Sequence, residues 1–503
     1  MKKIINILFA AVTVLTTSCS MDYRPVGALD DKTAILGLED AEKASDYLMI
    51  RLRGLFSGSN VYSSEICTDL FHPSLAYGNR GGNLYRWGFD SQTGTMESLW
   101  AHAYFSIANA NYLIERIGKL DRDRFNKAEN DRLDQILGEA AFIKAVNIYA
   151  LVEKFCAPYD KTTAATAPGV MIVDEYAPTS DQSKYPGRSS LQDTFSYIEM
   201  QLDIATAKVK AVGNPGAEKI TADAVTAFKA RVALAKGDYV AAAGFSASLV
   251  DSGRYPLIDV SSETAEEEWD QLWRLDSGKE CIMQLYANYQ DQSVPSSLSY
   301  GYHNLNSSGV YSPDYIPESH IIELYTDSDI RRIWFDKVTV TVASINGTVA
   351  LLNKFPGNPN LQASTQKSSS YIQKIKPFRI AEQYLIAAEA YAGMGGAEDK
   401  ALHYLSALAQ KRDPLFEANG NLTTMIRKER LKELIGEGFR FYDLKRYGEG
   451  MQRSPAQNEN VTTVSGMDIK ISVGDHRWLW PIPQAEIDAN PQLKNQQNPG
   501  YTQ

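Results

Sequence analysis

Cysteine and histidine are scarce in this chain, with four and six copies in 503 residues. Beyond Cys19, only Cys67, Cys156 and Cys281 remain, an odd number with no paired spacing. That pattern indicates neither a disulfide framework nor a zinc site. The histidines are scattered and never fall into the H-E-x-x-H arrangement. A G-x-S-x-G elbow and a phosphate-cradling glycine loop are missing as well, so serine hydrolase and nucleotide chemistry have no anchor. There is no basic excess: 51 Lys and Arg stand against 61 Asp and Glu, for a net charge of −10. A surface of that kind releases no counterions from nucleic acid, which excludes DNA and RNA as partners. After residue 15 no apolar run approaches the roughly 20 residues that cross a bilayer. Acidic groups such as Glu266-Glu267-Glu268 are present, and two suitably spaced carboxylates can cleave a glycoside. Adjacent acids in polar sequence read instead as a solvated face. The expectation is a protein that is not an enzyme and carries no cofactor. Asp327 and Asp329 offer calcium two carboxylates, but the EF-hand pattern is absent.

What is present begins at the N-terminus. Lys2 and Lys3 form a short cationic segment, and Ile4 to Leu15 an apolar one. Its length fits a secretory signal and falls short of a membrane span. Thr16-Thr17-Ser18 then leads into Cys19. Residues 1–18 resemble a bacterial lipoprotein signal, cut before Cys19, whose thiol and freed amine would carry acyl chains. An ordinary signal peptide with an incidental cysteine is the alternative. Stable anchoring takes two lipid signals, which a multiply acylated cysteine supplies. Residues 19–34, polar and containing Pro25 and Gly27, read as a tether. Loss of Lys2 and Lys3 moves the net charge from −10 to −12.

The body of the chain reads as mainly α. Helices are expected over about 40–55, from Trp100 with Ile107, Ala110, Ile114 and Ile117 on one face, and through Leu137, Ala141, Ala145, Ile148, Val152 and Phe155. The charged segment Asp121–Asp134 separates the last two, which form an antiparallel pair. A Pro-punctuated excursion, Pro158 to Pro186, precedes a helix over 191–209. Thr221 is a natural N-cap for Ala222–Lys236, Gly237-Asp238 breaks it, and Tyr239–Asp251 follows. This helix–turn–helix, alanine-rich at its crossing, resembles a tetratricopeptide unit, and so does Arg379–Gln410 around Gly393-Met394-Gly395-Gly396. No fixed period links them, so a continuous solenoid is excluded. Lys337 to Ala343 alternates as a short strand.

Two regions read as loops. Phe56–Thr95 is rich in Gly, Ser and Asn around Gly78-Asn79-Arg80-Gly81-Gly82-Asn83, residues that permit positive φ and disfavour helix. The stretch 281–374 carries Tyr286, Tyr289, Tyr300, Tyr302, Tyr311 and Tyr315 among Ser, Asn and Pro. A sugar ring offers an apolar face of C–H groups and a rim of hydroxyls. Binding one takes a flat aromatic platform beside hydrogen-bonding side chains. The candidate ligand-binding residues are therefore Tyr77, Asn79, Arg80, Tyr85 and Trp87, with Tyr286, Tyr289, Tyr300 and Tyr302 from the second region. Rings at helical spacing, such as Trp100, Phe142 and Phe228, are read as core.

Five segments line up, in order, with one family. They are Gly138–Ala145 with Tyr149; Pro168-Gly169-Val170 with Arg188-Ser189-Ser190; Ala381–Leu385 with Ala388–Tyr391; Arg427–Tyr447, RKERLKELIGEGFRFYDLKRY; and Trp480-Pro481-Ile482-Pro483 followed by Asn490-Pro491 and Asn498-Pro499-Gly500-Tyr501. The chain thus resembles the RagB/SusD family of surface nutrient-binding lipoproteins of the Bacteroidetes. The resemblance implies a single domain over 35–503, a tetratricopeptide-like array of about four helix pairs with large loop-rich insertions and minor β. Ligand loops would lie within about 56–99 and 281–374. It also implies an outer-membrane, cell-surface location, a SusC-like TonB-dependent transporter as partner, and delivery of an oligosaccharide or, in some members, a peptide. A helical adaptor that recognises only proteins and a surface glycoside hydrolase are the competing readings. The block at Gly436-Glu437-Gly438 reads as structural: its glycines turn the chain, with Arg440, Asp443 and Arg446 fastening the turn. Arg430–Glu433 and Glu429–Lys432 are expected as minor i,i+3 pairs, and the proline-rich terminus as an extended strap.

Overall fold

The computed structural model describes residues 34–290, 299, 301–363, 371–463 and 470–501. Cys19, the signal, most of the tether and Tyr300 lie outside the described residues. The helices are α1 (Leu38–Leu55), α2 (Gly58–Ile66), α3 (Gly82–Tyr85), α4 (Gly94–Gly118), α5 (Lys127–Phe155), α6 (Leu191–Lys208), α7 (Ala222–Lys236), α8 (Tyr239–Asp251), α9 (Ala265–Trp273), α10 (Ser319–Glu323), α11 (Ile380–Met394), α12 (Glu398–Arg412), α13 (Leu422–Leu434), α14 (Arg440–Tyr447) and α15 (Gln484–Ala489). Short strands β1 (Phe71–Pro73), β2 (Cys281–Leu285), β3 (Tyr315–Pro317), β4 (Phe335–Val342), β5 (Ile345–Leu352), β6 (Ile375–Arg379), β7 (Met451–Gln452) and β8 (Lys470–Ile471) pair two by two, all antiparallel: β1–β3, β2–β6, β4–β5 and β7–β8. The fold is the mainly α array that the sequence indicates. α4, α5, α6, α7, α8, α11 and α12 pack as successive neighbours, with α1 laid across α4 and α5.

Local chemistry sets most helix ends. Thr221 Oγ1 accepts the Ala224 N–H at 3.3 Å, and Gly237 closes α7 at φ 74°. Asp238 then caps α8 through Ala241 N–H at 3.1 Å. Ala230 and Ala233 of α7 and Ala242 and Ala243 of α8 cluster with Ile386 and Ala390 of α11 where the three helices pack. Two readings are corrected. The charged segment before Leu137 is largely helix, since Asn126 and Glu129 form a reciprocal capping box that starts α5 at Lys127. The region 56–99 is likewise no continuous loop: it contains α2, β1 and α3, and Gly94 already opens α4. The strand read at 337–343 is one arm of the β4–β5 hairpin, whose turn places Ala343 and Ser344 at φ 47° and 67°.

α5 is the most enclosed of the long helices, so its final carbonyls cannot turn to water and need donors from elsewhere. Lys445 Nζ donates to Glu153 O at 2.6 Å and Cys156 O at 2.9 Å. Trp480 N–H donates to Lys154 O at 2.9 Å. Asn498 Nδ2 at 2.8 Å and Arg188 Nη2 at 3.2 Å share Phe155 O. The donors come from three of the five sequence segments, which therefore meet at one helix terminus. Cations there also complement the negative end of the helix dipole.

The α13–α14 turn is the second such knot. Gly436 and Gly438, at φ 78° and 90°, direct their N–H groups onto the Glu65 carboxylate at 3.1 and 2.6 Å. Arg440 forks onto Asp69, and Asp443 accepts from Arg430 and Arg446. Of the two expected i,i+3 pairs, Glu429–Lys432 forms, at 3.8 Å, and Arg430–Glu433 is corrected. Glu433 does not pair with Arg430; it is buried among Arg379 at 2.7 Å, Arg331 at 3.1 Å and Arg412 at 3.2 Å. Glu429 and Lys432 are also buried, with Asp329 2.5 Å from Lys432. These guanidiniums hold the Glu433 carboxyl far below the usual range.

Candidate functional site

β1 and β3 pair with Phe71 opposite Pro317 and Pro73 opposite Tyr315. That short ladder brings together two segments more than two hundred residues apart: the Gly/Asn run after β1 and the Tyr-rich run before β3. Ser74 Oγ donates to Pro313 O at 2.6 Å, and Tyr315 OH donates to Arg80 O at 2.8 Å. Arg80 Nε donates to Asp314 Oδ2 at 2.6 Å, and a second Arg80 nitrogen reaches Oδ1. Ala76 and Tyr311 pack beside a small cluster of Ile316, Val340, Val342, Val349, Leu351 and Val461, so the hairpin backs the loop pair. His303, bridging Tyr371 OH at 3.1 Å and Asp336 at 3.0 Å, holds the second segment to the same hairpin.

On this base the first loop folds over its own glycines. Gly78, Asn79 and Gly81 lie at φ 58°, 59° and 68°, the left-handed region in which glycine and asparagine are tolerated. Arg86 reaches back across α3: Nη1 donates to Tyr77 OH at 2.9 Å, and Nη2 to Asn79 Oδ1 at 2.7 Å and Asn83 Oδ1 at 3.4 Å. A Cβ at Gly82 would come within 2.0 Å of Asn79 Oδ1 and 2.8 Å of the Arg86 nitrogens, so only glycine leaves room for this arrangement. The result is a half-buried Tyr77 ring, edge-on to Tyr315 at 6.1 Å, ringed by exposed Asn79, Arg80 and Asn83. A flat ring beside amide and guanidinium donors is the equipment for one face and one rim of a sugar.

Three expected residues are corrected. Trp87 is only 1% exposed; its indole N–H donates to Cys67 O at 2.6 Å and its ring meets Trp478 edge-on at 4.8 Å. Tyr85 is equally buried, under the Arg453 guanidinium at 3.9 Å and with its hydroxyl 2.9 Å from His72 Nδ1. Tyr302 is fully buried and stacks on Phe71 at 4.4 Å. Rings so enclosed present no platform to a ligand. Tyr286 and Tyr289 are 52% and 51% exposed, on a run after β2 that Arg53 of α1 holds through the Tyr286 carbonyl at 2.6 Å. Asp327 and Asp329 share no site: Asp329 is enclosed by Arg331 and Lys432, while Asp327 faces water beside Arg332. Sequence reasoning missed Asn83, Arg86 and Asp314. Asp314 carries no local signal, because its partner Arg80 is 234 positions away. The Gly81-Gly82 pair preceding Asn83 and Arg86 was the available sign of a tightly folded loop. A cavity of about 90 Å³ lies deeper, walled by frame residues including Tyr149, Phe228, Trp273 and Phe439, and none of Tyr77, Asn79, Arg80 or Arg86 reaches it.

Comparison with known proteins gives two family matches. The model of the SusD family matches residues 341–501, and one described as starch-binding, associating with the outer membrane, matches residues 50–234. SusD-like protein P2 of Formosa agariphila is 24% identical, with 99% of each chain covered, and SusD-like protein P38 of the same organism is 22% identical over 98% of this chain and 99% of its own. Among solved structures, a SusD superfamily protein of Bacteroides vulgatus superposes with TM-score 0.77 at 22% identity, covering 93% of this chain and all of that one. A SusD superfamily protein of Bacteroides thetaiotaomicron gives 0.77 at 23%, over 92% and 100%.

Proposed function

Since the chain belongs to the SusD family, we propose that it is a surface lipoprotein that captures an oligosaccharide and delivers it to a SusC-like TonB-dependent transporter in the outer membrane. Carbohydrate binding and outer-membrane association belong to the family at the coarser level. The role of this chain's own residues rests on one observation: the β1–β3 ladder and the Arg80–Asp314 pair fix at the surface the loop that carries Tyr77, Asn79, Arg80 and Asn83. Tyr77 supplies the stacking face, the amides and Arg80 take hydroxyls, and the Arg80–Asp314 pair keeps the loops in register. The reading is binding and not catalysis. Acyl chains on Cys19 would hold the protein to the membrane, and the tether would give it reach.

The test is a glycan panel presented to the soluble chain lacking its first 19 residues, read by calorimetry or affinity electrophoresis. Binding of at least one oligosaccharide, lost in Tyr77→Ala with the melting temperature unchanged, supports the assignment. Binding of peptides and no glycan would replace it with the peptide-binding alternative. Extraction in mild detergent should bring down a large β-barrel protein, and Cys19→Ala should shift the protein to the soluble fraction.

A further inference from the structure

Arg86 differs from most of the arginines in the frame, of which Arg188 too bonds only neutral acceptors. Arg231, Arg331, Arg379, Arg412, Arg430 and Arg446 each meet at least one carboxylate. In the loop, Arg80 is matched by Asp314. Arg86 bonds only to Tyr77 OH, Asn79 and Asn83, all neutral, and among the described residues no carboxylate pairs with it. The residue is half-buried, with its Nη1 bond partly covered and its Nη2 bonds at the surface. Three neutral acceptors and a glycine at position 82 hold it in place, so its position is built, while its charge is left unanswered.

We infer that Arg86 makes this site selective for acidic glycans, those carrying a carboxylate or a sulfate ester, an inference that rests on the carbohydrate-binding reading above. A guanidinium is a planar fork that fits a carboxylate or sulfate through paired hydrogen bonds, and such charge-assisted bonds are roughly twice as strong as neutral ones. Its Nη1 lies 2.9 Å from the Tyr77 hydroxyl. A sugar stacked on Tyr77 therefore brings an acidic substituent on its rim within reach of the guanidinium. The bonds to Tyr77, Asn79 and Asn83 fix the direction of the fork, and an acidic substituent completes a two-pronged contact by displacing the long 3.4 Å bond to Asn83.

The experiment pairs each glycan of the panel with its own neutralised form: uronate chains with their methyl esters, sulfated chains with their desulfated products. The expected result is that the glycans retained are acidic, that neutralisation weakens binding about tenfold or more, and that raising salt weakens the acidic form alone. Arg86→Gln keeps an amide donor and should abolish the preference for the acidic form at an unchanged melting temperature. Asn83→Asp leaves Arg86 in place and answers its charge from 3.4 Å away, so it should produce the same loss. Equal binding of acidic and neutral forms, or acid preference that survives both variants, overturns the inference and leaves carbohydrate binding intact. Retention of no glycan at all overturns the carbohydrate reading itself, and the inference with it.

Discussion

Two regions of this molecule use the same residue types to opposite ends. Around Glu433, three arginines and their acids are sealed in the interior, every charge answered by another chain segment. Around Tyr77, arginines and amides are gathered just as closely, but at the surface, on a loop bent by left-handed residues. The first region fixes where α9, α11, α12 and α13 meet. The second presents its chemistry to whatever arrives. The blocks that most clearly mark the family lie in the first kind of place: they supply donors to the end of α5, the acids of the Glu433 cluster and the α13–α14 turn. Frame and site are thus written with one alphabet, and burial decides which is which.

The contrast is broken most severely at Glu433. Glu433→Ala leaves Arg331, Arg379 and Arg412 short of an acid in a dry interior, and loss of one partner of a buried cluster costs about 3–5 kcal/mol. The variant should melt far lower or fail to fold; a small change in melting temperature would show that water enters the cluster. Trp87→Ala comes next, at about 3–5 kcal/mol for a large enclosed ring. Its loss should appear in stability, with glycan affinity intact in whatever fraction folds. Unchanged stability with lost binding would return Trp87 to the site.

A pH titration separates two buried acids. Burial raises the Glu65 carboxyl to about 7, above its ordinary 4.5. The unfolded chain then releases that proton first, so this group makes the protein less stable as pH rises from 4.5 to 7. Glu433 acts oppositely: its carboxyl is depressed, so its stabilisation is complete above 4.5 and is lost only as pH falls into strong acid. Melting curves of Glu65→Gln and the parent chain should converge or diverge across pH 4.5–7 with that sign, and parallel curves would remove Glu65 from the account. Smaller still is Asn126→Ala, which removes half of the α5 capping box and should cost about 1 kcal/mol. Smallest in stability is Tyr77→Ala, a surface change within about 0.5 kcal/mol whose measurable effect is on ligand binding.

Much of the frame was legible because helices announce themselves locally. α7 and α8 begin and end where Thr221, Gly237 and Asp238 say they should. α5 was read to begin late because its first turns are charged and exposed, which hides the apolar period while the cap remains in plain view. β5 was missed because an Ala343-Ser344 turn in the left-handed region carries no glycine signal. In the site, residue type was informative and burial was not. Tyr77 and Trp87 look alike as aromatics near a glycine run, yet one is half-exposed and the other sits against Trp478. That distinction depends on residues almost four hundred positions away. Asp314 was invisible for the same reason, and the weak neutral contacts of Arg86 become meaningful only once its lack of an acid can be seen.

The fastening of α5 by Trp480 and Asn498 ties an early helix to the tail of the chain. α5 is the one described helix apolar and long enough to cross a membrane by length and composition, and nine-tenths of that stretch is enclosed in the finished protein. Two of its last carbonyls, those of Lys154 and Phe155, take donors from Trp480 and Asn498, while Lys445 and Arg188 serve that end from earlier in the chain. A helix from the first third of the sequence is thus bound directly to the chain's last turn. A truncation before Trp480 should therefore leave the end of this helix short of donors and open to proteases at Phe155.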